Sequence, residues 1–261
     1  MSEDTARAQP EVLLRVRGLQ KSYGAVQALR GVDLDIMRGE TVALVGDNGA
    51  GKSTLVKLIS GAIQPSAGEM EFAGQSVRFT STDAARAHGI ETVYQDLGLC
   101  NNLSVAENIF LGREELVGGG PFRFLAKRRM QRRAEEALHG LTINVPSAKA
   151  KVVGLSGGQR QAVSLARTKL WSSSLVLLDE PTAALGVQET ERAMDAVRSL
   201  QAAGVSIVLI THQMPMALEM ASRIIVLRRG EKVGDIATRN ATGDDIVALI
   251  TGARERHIEA A

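Results

Sequence analysis

The residues Gly46-Asp47-Asn48-Gly49-Ala50-Gly51-Lys52-Ser53-Thr54 have the types and spacing to hold a polyphosphate. They follow the apolar run Thr41-Val42-Ala43-Leu44-Val45 and precede Leu55-Val56-Lys57-Leu58-Ile59, which reads as strand, glycine-rich turn, then helix. In that setting G-x-x-x-x-G-K-[ST] lets backbone N–H groups turn inward on a phosphate, while the helix N-terminus adds partial positive charge. Lys52 is placed to hold the β- and γ-phosphates, Ser53 to offer a hydroxyl to Mg²⁺, and Thr54 to add one near the α-phosphate. All four fixed positions and both flanking elements agree, which sets aside a chance glycine turn. The stretch is read as a nucleoside-triphosphate site.

Three further stretches carry groups suited to such a site. Leu175-Val176-Leu177-Leu178 runs into Asp179-Glu180 and is expected to form a strand beside the one feeding the phosphate loop. That places the carboxylates in the crevice at the carboxyl ends of a parallel sheet. Asp179 is assigned to the metal shell and Glu180 to the general-base or water-polarising role. An Asp-Glu pair alone is a common surface dipeptide, and only the apolar strand and the phosphate loop give it weight. Leu155-Ser156-Gly157-Gly158-Gln159, ahead of Arg160 to Leu170, presents a second anion-binding helix start, which is more than one nucleotide needs. His212 follows the apolar run Val205 to Ile210. Without further context such a histidine is more often structural. Tyr23 sits ahead of a strand, where its ring can stack on a nucleobase or pack at an edge.

The elements that position these groups follow from periodicity. Val12 to Arg17 and Val26 to Ile36 are expected to be strands of a layer ahead of the loop. The helix after the loop should end at Gly61. Glu69 to Phe72 and Ser76 to Phe79 read as a hairpin, and Ile90 to Tyr94 as a buried strand ending at Gln95. From Asp96 to about Leu170 the texture turns helical, with Val105 to Leu111 and Lys127 to Ala137 as segments of an inserted lobe. The basic cluster Lys127, Arg128, Arg129, Arg132 and Arg133, with Glu135 and Glu136 following, is read as a solvated helix face. Gln188 to Gln201 should be a helix stopped by Gly204, and Val205 to Ile210 a buried strand. Ile224 to Leu227 and Lys232 to Ile236 form a final hairpin, and Asp244 to Ile250 a short helix, with a fraying tail after Gly252.

Composition narrows the class. The 261 residues are 44% hydrophobic and 23% charged, and 31 basic against 29 acidic residues leave a formal charge of +2, so no polyelectrolyte partner is implied. Aromatics at 3% are too few for the stacking platforms of single-strand binders. Cys100 is the only cysteine, which excludes an intrachain disulfide and suits a reducing cytoplasm. Met1 to Pro10 lacks the apolar core of a signal peptide, and no apolar run reaches the roughly 20 residues that span a bilayer. Any membrane-spanning work would fall to another chain.

Gly46 to Thr54, Gln95, Leu155 to Gln159, Asp179-Glu180 and His212 together resemble the ATP-binding cassette (ABC) family, specifically its transporter ATPase subunits, from about Leu13 to about Ile236. The resemblance implies an α/β fold of the P-loop NTPase type, with a RecA-like core, an N-terminal antiparallel β layer and an inserted α-helical lobe. As one domain, the chain would divide into a nucleotide-binding core of residues 12–95 and 171–236, a helical lobe of 96–170 and a C-terminal extension of 237–261. It further implies a head-to-tail homodimer sandwiching two ATP molecules, in which Ser156, Gly157, Gly158 and Gln159 of one subunit close on the γ-phosphate held by the other. Tyr23 then matches the base-stacking aromatic. Gln95 matches the glutamine that senses Mg²⁺ and the attacking water while linking to the membrane subunit, and His212 the γ-phosphate contact. Mg²⁺ falls to Ser53, Gln95 and Asp179, and catalysis to Lys52, Gln95, Glu180 and His212. The segment Thr182-Ala183-Ala184-Leu185-Gly186 departs from the pattern, with Gly186 where an aspartate usually signals across the dimer.

The run Gln95 to Glu114, and Thr182 to Thr190, look most like the ATPases of bacterial monosaccharide importers. Many of those carry two cassettes, whereas this chain carries one. It is expected to act as a homodimer under two permease subunits at the cytoplasmic face of the membrane, with a periplasmic or extracellular solute-binding protein in the complex and no nucleic acid. Permease docking is expected near Asp96 to Arg113, using some of Leu97, Leu99, Leu103, Val105, Ile109, Phe110 and Leu111. A soluble cassette ATPase acting on DNA or ribosomes is disfavoured by the lack of long heptads, paired cassettes and basic excess. A nucleotide kinase would have no need of Leu155 to Gln159.

Overall fold

A computed structural model describes residues 11–93, 99–119, 122–139, 145–171, 173–182, 186–254 and 257–258. Two sheets set the architecture. β1 (Val12–Tyr23) and β2 (Val26–Met37) pair antiparallel, and β4 (Ala67–Phe72) with β5 (Gln75–Val77) extends them in the order β2-β1-β4-β5. This is the expected N-terminal layer, and its hairpin partner lies at residues 67–77. Between them the chain forms β3 (Thr41–Val45), the phosphate loop and α1 (Lys52–Ile59). Gly61 closes α1 at φ 72°.

The second sheet holds the site. After α2 (Thr82–Ala87) come β6 (Ile90–Val93), then α3 (Val105–Ile109), the ribbon β7 (Leu116–Val117) and β8 (Phe124–Leu125), α4 (Lys127–Leu138) and α5 (Gly157–Leu170). The chain then returns with β9 (Leu175–Asp179), α6 (Val187–Ala202), β10 (Ser206–Ile210), α7 (Met214–Met220), β11 (Arg223–Arg228), β12 (Glu231–Ala237), α8 (Gly243–Thr251) and β13 (His257–Ile258). Among the described residues the sheet order is β13-β12-β11-β3-β10-β9-β6, with β11, β3, β10, β9 and β6 parallel. The near-continuous apolar runs of β3, β9 and β10 follow from burial on both faces.

Three expectations need correction. The strand carrying Asp179 does not sit beside β3, because β10 lies between them. Every residue of β10 is buried, so it takes the interior position that the apolar pattern of β9 alone could also have filled. The tail does not simply fray, since His257 and Ile258 pair with Gly234 and Asp235 of β12. The segment between β6 and β9 is not purely helical either, because β7 and β8 form an antiparallel ribbon within it.

One apolar cluster fills the space between the antiparallel layer, α1 and the second sheet, with Leu14, Leu29, Leu55 and Ile59 fully buried. Others join β9 and β10 to α6 and α7, and β3 and β11 to α7 and α8. Residues 99–171 have a cluster of their own, including Val105, Ile109, Phe110, Met130, Val152 and Val163. Arg223 fastens the two sheets: its guanidinium bonds Glu40 at 2.8 Å, Asp235 at 2.9 Å and the Asp35 carbonyl of β2. Burial works against its charge, but those partners outweigh it and raise its hold on the proton.

Candidate functional site

The parallel strands bring their carboxyl ends to one edge, and the chemistry-bearing residues follow them. β3 runs into Gly46, β9 ends at Asp179, and His212 lies two residues past β10. β6 points the same way, but Gln95 lies outside the described residues.

The phosphate loop is shaped by neighbouring backbone. Gly46 is at φ 149°, and a Cβ there would collide with the Leu227 carbonyl oxygen of β11. Gly51, at φ 107°, would put a Cβ 2.7 Å from Leu29 Cδ2 and 2.8 Å from the Ala28 oxygen. Neither position can take a side chain without moving a strand, whereas Gly49 at φ 80° has open space around it. The turn between β11 and β12 latches the loop from outside: Gly230 N donates to Ala50 O at 3.0 Å, and Arg30 N donates to Gly230 O at 2.8 Å. Arg229, in that turn, adopts φ 50°. The latch was not anticipated, because Arg228-Arg229-Gly230 reads from sequence only as a hairpin turn.

Lys52 opens α1 and curls back, donating from Nζ to the carbonyls of Gly46 at 2.7 Å and Asp47 at 3.0 Å. Burial lowers its proton affinity, while the charges of Glu180, Asp179 and Asp47 oppose that shift. The lysine and both carboxylates therefore share one electrostatic site. Asp47, Asn48, Gly49 and Ser53 are exposed, Thr54 is half-buried and Ala50 is buried.

Asp179 sits opposite Ile210 in the register of β9 and β10. Burial, and then the neighbouring Glu180 charge, raise its proton affinity, with Lys52 and Lys57 opposing. Glu180 adopts φ 49°, a left-handed conformation uncommon outside glycine. Its N–H donates to Ile210 O at 2.9 Å, which holds the strained residue against β10. The carboxylate Oε1 lies 3.2 Å from His212 Nδ1. Backbone strain of this kind gathers at functional positions.

The remaining site residues lie elsewhere. Tyr23 ends β1 half-exposed, with Lys21 Nζ 5.1 Å from its ring centroid, so it is not packed into an edge. Ser156 to Gln159 begins α5. Ser156 N donates to Gln159 Oε1 at 3.0 Å and Gln159 N to Ser156 Oγ at 3.3 Å, a reciprocal cap, and Ser156 and Gly157 are exposed. In the segment proposed for docking, Val105, Ile109 and Phe110 are buried and Leu99 packs on the same cluster. Leu111 is the large apolar residue left exposed there among the described residues.

A cleft of about 530 Å³ borders the outer side of the loop, lined by Asp47, Asn48 and Gly49 with Arg30, Arg228, Arg229 and α8 residues Ile250 and Thr251. Its lining does not include Lys52, Asp179 or Glu180.

A parallel sheet with a glycine-latched phosphate loop and carboxylates at its carboxyl edge defines a nucleotide-binding protein of the P-loop class. The family model described as ABC transporter matches residues 29–183. The chain is 44% identical over 254 residues to the fructose import ATP-binding protein FrcA of Rhizobium meliloti, covering 96% of this chain and 98% of that protein. It is 44% identical over 239 residues to the xylose/arabinose import ATP-binding protein XylG of Sulfolobus acidocaldarius, covering 92% and 94%. Its fold matches a dimeric ATP-binding cassette in a post-hydrolysis state bound to ADP and Pi, with TM-score 0.74 and 28% identity, covering 88% of this chain and all of that one. The chain belongs to the ABC transporter family.

Proposed function

We propose that the chain is the ATP-hydrolysing subunit of a membrane importer for a monosaccharide, working as a head-to-tail homodimer beneath permease subunits at the cytoplasmic face. The observation that carries the site is the gathering of Lys52, Asp179, Glu180 and His212 at the end of β3, β9 and β10, with the loop already formed around Gly46 and Gly51. Relatives named for fructose and for xylose/arabinose import support the substrate class.

The residues fit a Mg²⁺ nucleotide. The loop leaves no room for side chains at Gly46 and Gly51, so its backbone can approach phosphate closely. Asp179 is a half-buried carboxylate whose proton affinity burial has raised, and a divalent cation would relieve that unfavourable charge. Ser53, Asp179 and Gln95 would hold the ion, which when bound neutralises charge on the β- and γ-phosphates. Lys52 exchanges its loop carbonyls for phosphate oxygens. Glu180, held by β10 and His212, takes the proton of the attacking water. Tyr23 presents its exposed ring to the base, and the self-capped start of α5 presents Ser156 to Gln159 to the nucleotide of a second subunit.

Glu180→Gln tests this reading. It should leave ATP affinity near normal and slow hydrolysis by on the order of a hundredfold or more. In cells lacking the chain, uptake of a radiolabelled monosaccharide should return with the wild-type chain and not with Glu180→Gln. Restored uptake with the variant would remove Glu180 from the chemistry, and hydrolysis without uptake of any monosaccharide would refute the importer assignment.

A further inference from the structure

Among the described residues, six of the ten exposed large apolar side chains fall within residues 111–125: Leu111, Leu116, Val117, Phe122, Phe124 and Leu125. Five of them belong to the β7–β8 ribbon or its connecting turn. In that ribbon Leu116 pairs with Leu125 and Val117 with Phe124. Successive strand residues point to opposite faces, so the exposure of both Leu116 and Val117, and of both Phe124 and Leu125, leaves two apolar faces open. Phe122 is 71% exposed and Phe124 65%. Clusters of this kind on a folded surface mark contact sites.

The foot of the ribbon is fixed. Ala126 N donates to Glu115 O at 2.8 Å, and the Glu115 carboxylate bridges Arg129 and Arg133 of α4. Arg133 also stacks on Phe110 and Trp171, 5.6 Å from each ring. These two arginines are thus committed to Glu115. Arg123, Lys127, Arg128 and Arg132 differ, being exposed and making no ion pair among the described residues. Nearby, Glu114 accepts from Gly112 N, and Glu115 is neutralised by its two arginines. A two-faced apolar ribbon therefore stands beside four exposed cations, with Glu107 acting on Lys127 and Glu135 and Glu136 following on α4.

We propose that this ribbon, with Arg123, Lys127, Arg128 and Arg132, contacts the anionic lipid leaflet. A groove on a protein would cover one face of the ribbon and leave the other wet. The boundary between headgroups and acyl chains surrounds both, and aromatic side chains with basic neighbours suit that layer. The contact uses none of the residues assigned to the nucleotide site and requires no nucleotide.

The test is sedimentation of the full chain, without ATP, with phosphatidylcholine vesicles that contain or lack phosphatidylglycerol. The chain should pellet only with phosphatidylglycerol, and less as salt rises. Phe122→Ser with Phe124→Ser should lower partitioning by about tenfold or more per ring. Lys127→Gln with Arg128→Gln should lower it by roughly fivefold per charge. Unchanged basal ATP hydrolysis in both double variants would show that they fold. Should one variant lose hydrolysis, the wild-type dependence on phosphatidylglycerol and the other variant still decide. Absence of phosphatidylglycerol-dependent pelleting, or equal pelleting of both folded variants, overturns the proposal. So does light scattering that shows the ribbon variants abolishing self-association without vesicles, which would assign the patch to a second copy. Because no nucleotide is present, failure here leaves the ATPase reading untouched.

Discussion

The phosphate loop and the start of α5 are both helix N-termini offering backbone donors, yet they are built in opposite ways. Around the loop the shape is imposed from outside, by the Leu227 and Ala28 carbonyls, the Gly230 latch and the Lys52 contacts. The start of α5 satisfies itself through Ser156 and Gln159, and leaves Ser156 and Gly157 exposed. The first is an anion cradle complete within one chain. The second is a finished cap that can gain phosphate contacts only from something brought to it. The proposed two-subunit site would use that difference.

Lys52→Ala and Ser156→Ala are the sharpest way to break this comparison. Lys52→Ala should reduce hydrolysis by roughly a thousandfold, because charge-assisted contacts to developing phosphate charge have no backbone substitute. Nucleotide binding to the isolated subunit should be lost with it. Ser156→Ala should keep binding and cost about 1 kcal/mol of stability through the lost cap, while hydrolysis falls only where two subunits meet. Nucleotide titrations by fluorescence separate the two outcomes. Equal loss of single-subunit binding in both variants would mean that α5 belongs to the same subunit's site.

The phosphate loop was legible because its requirements are local: a lysine, a hydroxyl pair and glycines at fixed intervals encode a backbone shape directly. Helices and strands with strong apolar periodicity, such as β10 and α6, were legible for the same reason. Strand order was not. That β10 separates β9 from β3 depends on where crossovers lay each strand, and β9 and β10 have the same apolar texture. The Glu180–His212 approach was hidden likewise, since 32 positions of sequence separate residues that the neighbouring ends of β9 and β10 bring to 3.2 Å. The β7–β8 ribbon escaped notice because its two-residue strands are too short for alternation to register.

A second, smaller effect follows from charge stored on the loop side alone. Asp179 holds its proton more tightly in the folded chain than unfolded, because burial and then Glu180 oppose its ionisation. The stability linked to such a group is complete below the unfolded value of about 3.9 and is lost as pH rises through the higher folded value. Ionising this carboxylate is therefore less favourable in the folded, nucleotide-free chain than in the unfolded one. Asp179→Asn should melt at a higher temperature than wild type at pH 7, with the gap closing as pH falls toward the ordinary aspartate range. Its Mg²⁺-dependent hydrolysis should nevertheless be impaired. A lower melting temperature at pH 7 would show that Asp179 is stabilising, and that the loop side stores no such charge.

The smallest effect belongs to Gly186, which stands where a signalling aspartate is usual in the family that the sequence resembles. It is the N-cap of α6 at φ −71° and ψ 173°, an extended conformation open to any residue, and no side chain caps the helix. Thr190 N donates to the Gly186 carbonyl at 2.9 Å, so the first turn is already closed through the backbone. In Gly186→Asp the new carboxylate would accept from N–H groups of that turn and meet the positive end of the helix dipole. The gain over glycine is a few tenths of a kcal/mol, visible as a small rise in melting temperature. If the carboxylate also carries a signal between subunits, the Hill coefficient for ATP should rise in the transporter-bound state while nucleotide affinity stays nearly unchanged. The two readouts separate local from shared effects. A higher melting temperature with an unchanged Hill coefficient would make position 186 a cap and nothing more. A higher Hill coefficient would show that the two sites communicate through the start of α6, as a cradle finished by its partner requires.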